Sequence, residues 1–135
     1  MKTLLTVMVT FLVSLNVYAE CMANNSGNVV CGSGRCLQNS SGEVICAKTQ
    51  GAECLRDSYG KVECAIEEFG GCALNSLGKV ICGKGKCAQN KTGEVKCAEA
   101  KGAECMRDYI GEVSCSEVPF GGCARNSLGR AICQI

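Results

Sequence analysis

The sequence predicts a small disulfide-rich all-β fold, a tandem array of seven short β-hairpins, and three observations carry that prediction. The unit Cys-x-x-Asn/Asp-x-x-Gly-x-Val/Ala-x-Cys occurs seven times and uses all fourteen cysteines. A second period of about 51 residues runs above it. Beyond the N-terminal segment the only aromatic residues are Tyr59, Phe69, Tyr109 and Phe120, and Trp is absent, so a conventional hydrophobic core has too little to build on.

The units run Cys21 to Cys31, Cys36 to Cys46, Cys54 to Cys64, Cys72 to Cys82, Cys87 to Cys97, Cys105 to Cys115 and Cys123 to Cys133. Counted from zero at the first cysteine, Asn or Asp falls at position three, Gly at six, Val or Ala at eight and the second cysteine at ten. Asn or Asp opening a type I turn, followed three residues later by Gly in the left-handed conformation, is a three-residue hairpin loop. That loop fixes the register: three faces seven, two faces eight, one faces nine, and the cysteines face each other. If three and seven form a hydrogen-bonded pair, alternation along the ladder makes the cysteines a non-bonded pair, whose side chains are the closer ones. Strand alternation places Val and both cysteines on one face, the expected buried one. Position seven, with Glu43, Lys61, Lys79, Glu94, Glu112 and Arg130, belongs to the wetter face, although Met22, Leu37 and Leu55 at position one blur the distinction.

Strands this short are marginal without a cross-link. Closing each unit on itself needs only the geometry the turn implies, so it is the preferred pairing. Spacing leaves two alternatives open. One is a chain of links through the connections, Cys31 with Cys36, Cys46 with Cys54 and so on, closed by Cys21 with Cys133. The other is an interlocked pattern that skips cysteines.

Taken in order, the chain opens with Lys2, an apolar run from Leu4 to Val17, and Val17-Tyr18-Ala19, the form of a signal peptide spanning 1–19 and cleaved after Ala19. No other segment is long and apolar enough to span a bilayer. Residues 20–135 form a single cysteine-rich region with long repeats at 21–71 and 72–122 and a partial third at 123–135. Gly51-Ala52-Glu53-Cys54 recurs as Gly102-Ala103-Glu104-Cys105, and Phe69-Gly70-Gly71-Cys72 as Phe120-Gly121-Gly122-Cys123. Two connections are short, 32–35 and 83–86, and the other four hold seven residues each. Duplication at both levels implies an array in which each hairpin contacts chiefly its neighbours. Phe69 and Phe120 are candidate plugs between long repeats.

The fourteen basic residues include Lys2, so the region after residue 19 carries thirteen basic against thirteen acidic side chains. A near-zero charge makes nucleic acid and anionic membrane poor partners. The absence of histidine removes Ser-His, Cys-His and His-metal chemistry together. There is no Cys-x-Cys or Cys-x-x-Cys, and a secreted chain meets an oxidising compartment, so disulfides rather than metal thiolates are expected and no cofactor is implied. Arg35 and Lys86 stand immediately before cysteines in the short connections, where a trypsin-like protease inhibitor could present them. Three sequons, at Asn24, Asn39 and Asn90, all use the Asn that opens a turn. The expectation is a secreted, extracellular, non-enzymatic structural, matrix or effector protein that binds an extracellular protein or glycan. The alternative is a serine-protease inhibitor acting through Arg35 and Lys86.

Overall fold

The computed structural model describes residues 19–135; apart from Ala19, the proposed signal peptide lies outside the described residues. Among these residues the structure is all β, with fourteen strands and no helix. Strand β1 (Glu20–Ala23) pairs with β2 (Val29–Gly32) as hairpin 1, β3 (Cys36–Gln38) with β4 (Val44–Cys46) as hairpin 2, and β5 (Cys54–Arg56) with β6 (Val62–Cys64) as hairpin 3. Hairpin 4 joins β7 (Cys72–Leu74) to β8 (Val80–Cys82), and hairpin 5 joins β9 (Cys87–Gln89) to β10 (Val95–Cys97). Hairpins 6 and 7 follow as β11 (Cys105–Arg107) with β12 (Val113–Cys115) and β13 (Cys123–Arg125) with β14 (Ala131–Cys133).

Every hairpin has the register the turn requires, with its two cysteines opposite each other. All seven pairs are bonded, each unit closing on itself, with Cα atoms 4.0–4.1 Å apart. This is the narrow spacing of a non-hydrogen-bonded pair. The ring and the interlocked schemes are excluded.

The turn chemistry is the same each time. Oδ1 of the opening residue accepts from the backbone N–H groups two and four residues later, at 2.8–3.1 Å in all seven turns. Only an oxygen on a short side chain reaches both, which is why the position takes Asn and Asp alike. The turn glycines lie at φ of 75–89°, a region closed to most side chains. Replacing Asn75 by Ala orphans the Leu77 and Lys79 N–H groups and should cost about 1–2 kcal/mol, while Asn75→Asp should be close to neutral. Guanidinium midpoints of the two variants check this, and equal midpoints would remove the side-chain oxygen from the account.

The hairpins stack in chain order, joined by two backbone ladders. At the turn tips, the N–H of the residue after the opening Asn or Asp donates to the turn-glycine carbonyl of the next hairpin: Asn25 to Gly42, Ser40 to Gly60, Ser58 to Gly78, Ser76 to Gly93, Lys91 to Gly111 and Tyr109 to Gly129. At the base, the residue before each first cysteine donates into the next connection: Glu20 to Gly34, Arg35 to Ala52, Glu53 to Gly70, Gly71 to Gly85, Lys86 to Ala103 and Glu104 to Gly121. Both ladders run at 2.8–3.2 Å. A two-stranded hairpin leaves outward N–H and C=O groups that need partners, and neighbouring hairpins supply them at both ends.

The cystine face of each hairpin rests on its predecessor. Sγ of Cys36, Cys54, Cys72, Cys87 and Cys123 lies 3.2–3.5 Å from the carbonyl oxygen of the residue before the preceding hairpin's first cysteine. These are contacts rather than hydrogen bonds, since an oxidised sulfur carries no proton. The Val and cystine face is buried in the middle of the stack, with Val62, Val80, Cys54 and Cys72 in the core. The opposite face is drier than its charges suggest, because the next hairpin covers it and Leu37 and Leu55 pack against that same core. The connections supply the rest, through the buried Ala47, Ala52, Ala65, Ala98 and Ala103. Alanine fits where backbones approach this closely, and larger side chains do not.

Phe69 and Phe120 link the two long repeats. Their ring centroids are 5.1 Å apart at an interplanar angle of 75°, an edge-to-face contact. Each ring lies over a glycine of the preceding long connection, Gly51 and Gly102 respectively, where a Cβ would come within 2.4–2.6 Å of it. Both phenylalanines have positive φ, 58° and 57°. That conformation is strained for an aromatic residue, and it is held by Phe69 N–H donating to Gln50 O and Phe120 N–H to Lys101 O, each at 2.8 Å. Lys101, in the long connection that follows hairpin 5, reaches Glu68 at 2.6 Å and lies 5.6 Å from the Phe69 ring centroid.

Candidate functional site

The tip ladder holds seven turns in register along one edge, and the fifth position of each unit stands at its crest. Along the stack the crest reads Ser26, Ser41, Tyr59, Leu77, Thr92, Ile110 and Leu128. The apolar members are exposed: Tyr59 by 88%, Leu77 by 83% and Leu128 by 70%, with Ile110 and the adjacent Tyr109 also at the surface. A turn needs no apolar group there, since its geometry is satisfied by the Asn or Asp and the Gly. Scattered exposed apolar residues are ordinary, but a row of them on a rigid edge has the form of a contact surface.

The three sequons share this edge. Asn24, Asn39 and Asn90 open hairpins 1, 2 and 5, the hairpins whose crest is Ser or Thr. Their turn bonds use Oδ1, which leaves Nδ2, the atom a glycan is attached to, outside those bonds. Thr92 Oγ1 also donates to Asn90 Oδ1 at 2.7 Å. The edge therefore alternates between two sequon turns, two apolar turns, a third sequon turn and two more apolar turns. Sequence reading found the sequons but missed the apolar crest, although the fifth position of each unit could be read directly.

Arg35 and Lys86 sit elsewhere, at the base of the stack, lining a hollow of about 280 Å³ together with Glu20, Glu53, Phe69 and Phe120. Arg35 Nε is 3.6 Å from Glu20 Oε1. The backbone at both basic residues is already committed. Arg35 donates to Ala52 and accepts from Ala47; Lys86 donates to Ala103 and accepts from Ala98. Among the described residues no group of three or more His, Cys, Asp or Glu is placed to hold a metal ion, and no helix is long and apolar enough to cross a membrane.

Fold and edge together define a disulfide-closed hairpin-repeat protein. Compared with protein-family models, curated proteins and solved structures, the chain matches none.

Proposed function

We propose that the protein is a secreted, non-enzymatic extracellular component that works by binding an extracellular protein or glycan along its turn-tip edge. Seven disulfides suit an oxidising, extracellular milieu. The observation that carries the reading is the exposed apolar crest of hairpins 3, 4, 6 and 7, held in line by the tip ladder. Preorganised aromatic and aliphatic side chains lose little conformational freedom on binding, which is how a small rigid surface gains affinity. The inhibitor alternative needs a basic residue on a segment free to pair with a protease through its main chain, and the main chain at Arg35 and Lys86 is occupied by the stack.

The test compares the oxidised protein with a variant carrying Tyr59→Ser, Leu77→Ser, Ile110→Ser and Leu128→Ser on arrays of extracellular-matrix proteins and glycans. Binding by the parent, reduced at least tenfold in the variant, is the expected result. Binding unchanged by the four substitutions would remove the crest from the account. Stoichiometric inhibition of trypsin, abolished by Arg35→Ala with Lys86→Ala, would replace this reading with the inhibitor.

A further inference from the structure

The hollow at the base of the stack draws its walls from both long repeats. Arg35 and Phe69 recur 51 residues later as Lys86 and Phe120, and all four line it together with Glu20 and Glu53. Its volume of about 280 Å³ falls just under the roughly 300–1,000 Å³ of pockets that take drug-sized ligands, so its occupant is smaller than those.

Two features of this hollow are not required by the stack. The first is its aromatic floor. Phe69 and Phe120 stand at φ of 58° and 57°, a conformation a glycine would adopt freely and a phenylalanine adopts under strain. At Phe120 burial does not repay that strain, since the residue is 60% exposed. Strained residues of this kind gather at ligand clamps and active sites.

The second feature is the arrangement of charge. Glu20 is fully engaged: Oε1 lies 3.6 Å from Arg35 Nε, and Oε2 accepts from the Cys36 N–H at 3.0 Å. Lys86 and Glu53 have opposite signs and line the same hollow, yet they stand beyond ion-pair distance of each other, and among the described residues neither has another charged partner. Glu53 uses Oε2 to accept from the Cys72 N–H at 3.4 Å, which orients the carboxylate and leaves Oε1 toward a ligand. An ammonium and a carboxylate kept apart across a small hollow match a molecule that carries the opposite charges at a similar separation.

We propose that the base hollow is a binding site for a small zwitterion with an aromatic body, the chemistry of a free aromatic α-amino acid. Lys86 takes its carboxylate, Glu53 its ammonium, and the exposed Phe120 ring its apolar part. A ligand with one charge would leave Lys86 or Glu53 unanswered. Aromatic rings that meet edge-to-face or offset gain more than burial alone gives, which favours a ring against Phe120.

Titration of the fully oxidised, ¹⁵N-labelled protein, followed through its amide resonances, tests this with L-phenylalanine as the probe. Saturable shifts are expected at Gly102 and Phe120, with Kd in the millimolar range that a ligand of this size allows. N-acetyl-L-phenylalanine, which lacks the ammonium, L-phenylalaninamide, which lacks the carboxylate, and glycine, which lacks the ring, should each bind at least tenfold more weakly. Glu53→Gln keeps an oxygen for the Cys72 N–H and Lys86→Gln alters an exposed side chain, so both variants should keep the parent's spectrum away from the hollow. Each should weaken L-phenylalanine at least tenfold, and Lys86→Gln should leave the affinity for L-phenylalaninamide unchanged. The absence of saturable shifts at the hollow would overturn the proposal, as would N-acetyl-L-phenylalanine or glycine binding as tightly as L-phenylalanine. Equal losses for both probes in Lys86→Gln, or parent affinity in either variant, would overturn the assignment of the two charges.

Discussion

Complete reduction of the seven disulfides should unfold the chain at room temperature. In the chain-entropy model a loop of this length contributes about 2.8 kcal/mol, or about 19 kcal/mol over all seven. Domains are stable by only about 5–15 kcal/mol. The core offers nothing large enough to compensate, since its buried side chains are valines, alanines and the cystines themselves. Far-UV circular dichroism and amide exchange before and after reductant would show loss of strand signal and of protection. A chain that kept its exchange protection when reduced would mean that the ladders and alanine contacts are worth far more than this account gives them.

The second large effect belongs to a side chain with almost no bulk. Ala103 is fully buried, at 0% exposure, and its carbonyl receives the Lys86 N–H. Ala103→Leu adds three carbons where the backbones of two connections meet, so it forces them apart and breaks that rung. Overpacking of this kind costs about 1–3 kcal/mol, and more where the backbone cannot yield. Ala52→Leu should behave alike, because Ala52 receives the Arg35 N–H in the equivalent place. Thermal unfolding should drop by several degrees for either variant, with all seven disulfides still closed by mass. Wild-type melting in both would contradict the close packing of the connections.

These effects separate what the sequence makes legible from what it does not. Asn75 and Gly78 fix a turn through bonds a few residues apart, so the register, the facing cysteines and the self-closed units follow from local chemistry. The buried alanines do not, because nothing near Ala103 in the chain shows that Lys86 lies against it. The contact of Phe69 with Phe120 joins residues 51 apart in the chain, and nothing local to either shows that the stack brings their rings together. Position one misleads for the same reason: Leu37 and Leu55 look like exceptions on a wet face until the next hairpin covers them.

That each hairpin is covalently complete, with no disulfide joining one hairpin to the next, is open to direct test. Digestion under non-reducing, thiol-blocked, denaturing conditions addresses it directly, with trypsin at Arg35, Lys48, Lys84, Lys86 and Lys101 and a glutamyl protease at Glu67, Glu68 and Glu117, so that every connection is cut. Mass spectrometry should then find seven families of linked fragments, each containing the two cysteines of one unit and none joined to another. Fragments joining Cys31 to Cys36 or Cys46 to Cys54 would contradict it.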